Sequence, residues 1–130
     1  MRRKALEVVS TAIPAIIAIF CGVALYAQQS TFRNAPASAT AMKNPYADSA
    51  AGAVAGKAVY AKNCTQCHGN NRQGMGPAPA LDGHKVRTAN AGELFWFIGT
   101  GNPSSGMPAW SNLTKQQRWQ LVTFLQSTSK

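Results

Sequence analysis

One pentapeptide constrains this chain more than any other part of its sequence. Cys64-Thr65-Gln66-Cys67-His68 places two thiols three positions apart and an imidazole directly after the second thiol. This C-x-x-C-H pattern is the attachment sequence of c-type haem, because two thiols at this spacing reach the two vinyl groups on one porphyrin edge. The pattern predicts one covalent haem c bound through Cys64 and Cys67, with His68 as an axial ligand of the iron.

The residues alone leave three weaker alternatives open. A structural zinc site normally takes four cysteine or histidine ligands, and outside this cluster the sequence offers only His84 and Cys21. A thioredoxin-like dithiol would need a βαβ context, and no apolar alternation is long enough to predict a strand. A plain disulfide between Cys64 and Cys67 is the third alternative.

The first of three segments, residues 1–27, has the character of an export signal. Three basic residues precede an apolar stretch over residues 12–27. This predicts a cleaved signal peptide or a retained membrane anchor over residues 5–27, and a buried core helix is the other alternative. Either form of export places the rest of the chain on the periplasmic side of a bacterial cytoplasmic membrane. Cys21 is interpreted as a small hydrophobe, since Phe20 is too large for a lipoprotein cleavage site.

Residues 28–49 are predicted to form a flexible tether. They are small and polar without helical or alternating periodicity, so they bury too little apolar area to offset their chain entropy. Residues 50–130 then form the working domain. A domain of that size buries only a little over about 60% of its chain surface and usually needs a metal, a cofactor or disulfides in addition.

The predicted domain is all-α. Three segments combine helix formers with start or stop signals: residues 52–63, residues 91–98, and the stretch that begins at the capping box Thr114-x-x-Gln117. Gly99 is the predicted stop of the second helix. Loops rich in glycine and proline are expected over residues 69–83 and 99–110.

A haem that only carries electrons needs a sixth ligand. Methionine thioether is the usual one in small c-type cytochromes. Met107 lies 39 positions after His68, between Gly106 and Pro108, whereas Met75 lies only seven positions after it. Met107 is therefore the predicted ligand, and the alternatives are an open iron or one bound by His84.

From about Gly56 onwards the sequence resembles the class I, single-haem cytochromes c. The resemblance rests on C-T-Q-C-H, on Pro79-Ala80-Leu81, on G-M-P-A-W over residues 106–110 and on the flanking helices. It implies the cytochrome c fold, with three to four short helices wrapped around one covalently bound haem. It also implies that the chain is not an enzyme but carries one electron between a dehydrogenase or respiratory complex and a terminal acceptor.

The same resemblance assigns roles around the haem. The carbonyl of Pro79, or that of Pro77, would accept a hydrogen bond from the axial histidine. Trp96 and Trp110 would donate to the haem propionates, although core packing explains each of them equally well. The family also crosses its first and last helices at a glycine and an aromatic residue. Gly56 and Tyr60 match that pair.

A looser resemblance concerns the small cytochromes that accompany periplasmic quinoprotein sugar or alcohol dehydrogenases. It rests on residues 92–98 and 106–110. It suggests one class of donor, and it does not name the partner.

Charge bears on the partners. The formal net charge is +9, and residues 50–130, with eight basic and two acidic residues, carry +6 before the propionates are counted. This surplus predicts redox partners with acidic patches, a dehydrogenase donor and an oxidase acceptor. Five basic residues lie in segments flanking the attachment site: Lys57, Lys62, Arg72, Lys85 and Arg87. Export argues against nucleic acid as a partner.

One other class of function stays open. If Met107 does not bind the iron, the haem is five-coordinate and could act in a peroxidase or gas sensor. No convincing distal acid–base pair is found in the sequence.

Overall fold

Helices dominate residues 34–128, which are the part of the chain that this computed structural model describes. The predicted signal or anchor and Cys21 lie outside the described residues. Six α-helices lie within them, which confirms the all-α prediction. Their bounds are α1 Ala37–Thr40, α2 Ala50–Asn63, α3 Thr65–His68, α4 His84–Arg87, α5 Ala91–Thr100 and α6 Lys115–Gln126, with a 3-10 turn at Pro103–Ser105. No helix within residues 34–128 is both long enough and apolar enough to cross a membrane.

Capping side chains set where the three long helices begin. The Ser49 hydroxyl accepts the Gly52 N–H at 2.9 Å, so α2 starts two residues earlier than predicted. Asn90 caps α5 through the N–H groups of Gly92 and Glu93. The predicted capping box of α6 is confirmed, since each of its two side chains binds the backbone of the other residue.

Gly99 does not stop α5, and that prediction is wrong. The helix continues to Thr100, and the stop is Gly101, whose φ of 68° lies in the left-handed region. Glycine at position 99 instead leaves room for the side chain of Arg118. A Cβ at this position would lie 2.3 Å from Nη1 of Arg118, whose guanidinium stacks over the Phe95 ring.

Helices α2 and α6 cross at Gly56. A Cβ there would lie 2.0 Å from the Gln120 carbonyl oxygen, so only glycine permits this approach. One turn later, the Tyr60 and Phe124 rings pack at 5.4 Å. The predicted crossing by Gly56 and Tyr60 is therefore confirmed. Beyond it, Phe95 of α5 stacks on Trp119 of α6 at 4.1 Å and joins α5 to the helix pair.

Residues 36–49 fold onto this helical core, and we call them the strap. Helix α1 packs against the start of α5, where Ala39 is buried. A Cβ at Gly92 would lie 1.9 Å from the Ala39 carbonyl oxygen. The Asn90 side chain donates to the Thr40 carbonyl at 3.0 Å. The first half of the strap is therefore fixed to α5.

The second half of the strap binds α6. Asn44 Nδ2 donates to Thr123 Oγ1 at 2.9 Å, and that hydroxyl donates to the Tyr46 carbonyl at 3.0 Å. The prediction of a flexible tether is therefore wrong over residues 36–49. Partners on α5 and α6 bind several polar groups of this segment, and local periodicity does not reveal such distant partners.

Candidate haem site

The predicted attachment sequence forms one helical turn directly after α2. The Cys64 N–H binds the Tyr60 carbonyl at 2.8 Å, which joins the turn to the end of α2. The Cys64 carbonyl accepts the N–H groups of Cys67 and His68, at 3.2 and 2.9 Å. Both thiols and the imidazole therefore belong to a single turn whose backbone is fixed to the long helix.

The imidazole of His68 is held through one nitrogen. Nδ1 lies 2.9 Å from the Pro79 carbonyl oxygen. A carbonyl oxygen can only accept a hydrogen bond, so Nδ1 carries a proton, and in the neutral imidazole the lone pair is then on Nε2. A neutral imidazole with a bare Nε2 is the form that binds iron. The structure brings together the pair predicted from the sequence, with Pro79 rather than Pro77 as the acceptor.

The loop between α3 and α4 brings Pro79 to this position. Its first turn is closed by a bond from the Gly74 N–H to the His68 carbonyl at 2.8 Å. Gly74 has a φ of 80°, and a Cβ there would lie 2.7 Å from the Ala80 nitrogen. Glycine at this position lets residues 78–80 run close beneath the first turn, which places the Pro79 carbonyl beside His68.

The two cysteines suit covalent attachment. Neither thiol is joined in a disulfide; Cys64 is partly buried and Cys67 is exposed. Burial, followed by the charge of Cys67, raises the pKa of the Cys64 thiol to about 11. A pair of reduced thiols one helical turn apart is the donor set that thioether bonds require, so these residues fit a covalent haem.

Met107 lies in a closed loop after α5. Its backbone N–H and carbonyl both bind Asn102, at 3.1 and 2.9 Å. Gly106 takes the left-handed conformation, with a φ of 82°. A Cβ at Gly101 would lie 2.5 Å from the Pro108 carbonyl group, so the loop packs tightly on itself. The Met107 backbone is therefore fixed, and its side chain is partly buried.

Trp96 and Trp110, the predicted donors to the haem propionates, lie in α5 and in the loop after it that contains Met107. Trp96 is a partly buried residue of α5. Trp110 ends the methionine loop, packs against the core and donates its backbone N–H to the Ile98 carbonyl at 3.0 Å. The structure thus joins His68 to Pro79, while Met107, Trp96 and Trp110 lie on α5 and the loop that follows it.

Arg72 is not part of an exposed basic surface, which corrects the charge analysis. Its side chain is only 5% exposed. Nη1 donates to the Phe124 carbonyl at 2.9 Å, and the guanidinium lies 4.6 Å from the centre of the Phe124 ring. The other four residues of the predicted set remain exposed: Lys57, Lys62, Lys85 and Arg87.

The structural roles of two residues were not predicted from the sequence. Asn102 pairs with Met107, and the signal that would have found it is the Asn-Pro dipeptide, which favours turn initiation. Arg72 binds the C-terminal end of α6. Its own segment carries no sign of this contact, because the acceptors lie 52 and 53 positions away.

The fold and this turn define the class of protein. A C-x-x-C-H turn at the end of a helix, a histidine held by Nδ1 and two helices crossing at a glycine are the features of a c-type cytochrome domain. Residues 51–125 match the profile of the family described as cytochrome c oxidase, cbb3-type, subunit III. Because the match spans more than half of the chain, the protein belongs to this family.

The chain is also similar to two individual proteins, one by sequence and one by structure. It is 36% identical over 75 residues to the cbb3-type cytochrome c oxidase subunit CcoP of Azospirillum brasilense, a match that covers 52% of this chain and 25% of that protein. It is similar in structure to cytochrome CL of the marine methylotrophic bacterium Methylophaga aminisulfidivorans. There the TM-score is 0.55 at 29% identity, over 64% of this chain and 57% of that one. The chain thus spans only part of each relative.

The comparisons confirm the resemblance, the fold and the cofactor. Family members carry covalent haem c on C-x-x-C-H, and this sequence contains that motif at residues 64–68. The chain is a cytochrome c-type electron-transfer domain.

Proposed function

We propose that this chain is an exported one-electron carrier whose haem is attached to Cys64 and Cys67 and ligated by His68 and Met107. One observation carries the assignment: Nδ1 of His68 lies 2.9 Å from the Pro79 carbonyl oxygen. That bond fixes the tautomer and presents Nε2 as a ligand. When bound, the haem iron supplies a one-electron couple between its ferrous and ferric states.

The residues around the iron set how readily it accepts an electron. The Pro79 carbonyl enriches the electron density of the His68 ring, which favours the ferric state. The thioether of Met107 is a softer ligand and favours the ferrous state. With both ligands retained, no coordination position remains for a substrate, and the role is transfer rather than chemistry on a bound molecule.

Spectra of the purified holoprotein test the ligand set. The reduced protein is expected to show a six-coordinate, low-spin c-type haem that does not bind carbon monoxide rapidly. Met107→Ala is expected to open the iron to carbon monoxide. Met75→Ala is the matched control, because the Met75 side chain is 53% exposed and lies in the loop between α3 and α4. Rapid, stoichiometric carbon monoxide binding by the unaltered protein would refute the carrier and favour the five-coordinate alternative.

The proposed partners are redox proteins with acidic patches, a dehydrogenase or respiratory complex as donor and an oxidase as acceptor. Exposed basic residues on α2 and α4 support this, since opposite charges steer two redox proteins together. The similarity to an oxidase subunit of Azospirillum brasilense supports an oxidase acceptor.

Charge reversal tests the partner surface. In Lys57→Glu with Lys62→Glu, the rate of electron exchange with an acidic redox protein should fall, and its dependence on salt should weaken. Lys115→Glu is the control, because it makes the same kind of charge change on an exposed residue outside the segments flanking the attachment turn. Equal rates in the altered and unaltered proteins would exclude these lysines from the docking surface.

The periplasmic location, and the role of residues 1–27 as signal or anchor, are also proposals. The positively charged n-region before an apolar stretch supports them. The N-terminal sequence of the mature protein, determined from membrane and soluble fractions, distinguishes the two. A cleaved protein begins near residue 28 in the soluble fraction, and an anchored one keeps residue 1 in the membrane.

A further inference from the structure

The Tyr60 hydroxyl makes a hydrogen bond that the crossing of α2 and α6 does not require. Its side chain is 2% exposed, and its ring packs on Phe124. That packing explains an aromatic ring but not a hydroxyl. The hydroxyl donates to the carbonyl of Gly69 at 2.7 Å. The ring packing therefore leaves the role of this buried hydrogen bond to be identified.

Gly69 is the residue that turns the chain away from the haem ligand. It follows His68 directly, is buried, and has a φ of 78°. Its carbonyl accepts two hydrogen bonds, one from the Tyr60 hydroxyl at 2.7 Å and one from the Arg72 N–H at 3.2 Å. The bond from Tyr60 is the shorter, and it comes from a helix outside the loop. Tyr60 therefore ties the start of the loop to the crossed helices.

The same loop supplies the acceptor that orients the His68 ring. From Gly69 the chain runs to Gly74, whose N–H closes on the His68 carbonyl. It then reaches Pro79, whose carbonyl meets Nδ1 at 2.9 Å. A shift of the Gly69 peptide would move both the His68 ring and the Pro79 carbonyl. His68 directly precedes Gly69, and the segment that carries Pro79 follows it.

We propose that the Tyr60 hydroxyl is a positioning group for the axial histidine, acting through the Gly69 carbonyl on the bond between His68 and Pro79. This rests on the proposed role of His68 as an iron ligand. Without the hydroxyl, the Gly69 carbonyl keeps only the longer bond from Arg72. The loop would then fluctuate more, and the Nδ1 proton would be exposed to solvent more often.

Exchange of the Nδ1 proton measures this directly in the reduced, diamagnetic holoprotein by proton NMR. Tyr60→Phe removes the hydroxyl and keeps the ring that packs on Phe124. Thr123→Val is the matched control, because it removes a buried hydroxyl whose bonds go to the strap and to the backbone of α6. Both variants should unfold more easily. Only Tyr60→Phe should accelerate exchange of the Nδ1 proton severalfold.

The outcomes separate positioning from general stability. Exchange at the rate of the unaltered protein in Tyr60→Phe, or equal acceleration in both variants, would overturn the proposal. Failure of the proposed function appears earlier, as a spectrum of the unaltered protein without histidine ligation.

A second measurement needs no variant and serves if Tyr60→Phe gives too little holoprotein. In the unaltered protein, the backbone N–H of Gly74 should exchange as slowly as that of Val122 in the core. Exchange as fast as that of exposed loop amides would show that the loop opens independently of Tyr60, and would equally overturn the inference.

Discussion

Gly56→Ala should destabilise the protein, although alanine is the better helix former. The substitution places a methyl group at the crossing of α2 and α6. This Cβ would lie 2.0 Å from the Gln120 carbonyl oxygen and 2.9 Å from Cβ of Phe124. Ordinary contacts begin at 3.4 Å. Since the nearest atom belongs to the backbone of a helix, no side-chain rotation relieves the clash and the two helices must separate.

The magnitude follows from two opposing terms. Alanine in place of a helix-interior glycine gains about 1 kcal/mol. Overpacking in a tight core costs about 1–3 kcal/mol, and more where backbone must shift. Separation of the helices by over about 1 Å also loosens the contact between Tyr60 and Phe124. With the overpacking cost at the upper end of its range we expect a net loss of about 2 kcal/mol, which lowers the thermal midpoint of a domain of this size by roughly 8–16 °C.

Gly52→Ala is the control on the same helix. Its Cβ would lie 3.1 Å from Cβ and Oγ of Ser49 and from Cβ of Tyr46, and a shift of a few tenths of an ångström relieves contacts of this length. Its midpoint should stay within a few degrees of the unaltered protein. The assay is thermal unfolding of the holoproteins by far-ultraviolet circular dichroism. A Gly56→Ala protein as stable as Gly52→Ala would refute the argument that backbone contact at Gly56 controls the crossing.

Two further predictions concern the strap and the buried tyrosine. Asn44→Ala removes the bond to the Thr123 hydroxyl and should lower the unfolding free energy by about 1 kcal/mol in a denaturant titration, whereas Asn34→Ala, at an exposed residue before the strap, should not. Burial, more than the nearby charges, raises the pKa of Tyr60 from 10.0 to about 12. The native state therefore keeps a proton that the unfolded chain releases, and stability should fall as the pH rises from about 10 to about 12, by less than about 3 kcal/mol. The Tyr60→Phe protein should not show this part of the loss in stability. If its stability falls with rising pH as much as that of the unaltered protein, the prediction is contradicted.

Much of the fold is predictable because its signals are local. Capping residues act within one helical turn, so the box at Thr114 is visible in the sequence and is confirmed. Glycine signals are less decisive. Gly99 and Gly101 both qualify as a helix stop, but only Gly101 takes the left-handed conformation, whereas Gly99 leaves room for the side chain of Arg118. That side chain reaches α5 from α6, and no local pattern reports its position.

In the candidate site, too, some features are predictable from the sequence and others are not. The attachment turn is predictable because covalent geometry limits its spacing to a few neighbouring residues. Arg72 is not, because an arginine among glycines and asparagines has the composition of a solvated loop. Its burial depends on the C-terminal end of α6, whose terminal carbonyls lack helical partners and attract a cation. The sequence carries the charge of Arg72, and only the fold brings these carbonyls to it.

The strap shows that the folding unit is larger than the part that the family shares. The family match covers residues 51–125, and the strap precedes it. Yet the strap covers Gly92 and supplies partners to the side chains of Asn90 and Thr123, all within the match. A fragment limited to the matched residues would leave these groups to water. The strap sequence of small and polar residues has no periodic apolar face to reveal this role, because much of its contribution lies in hydrogen bonds and close backbone contact.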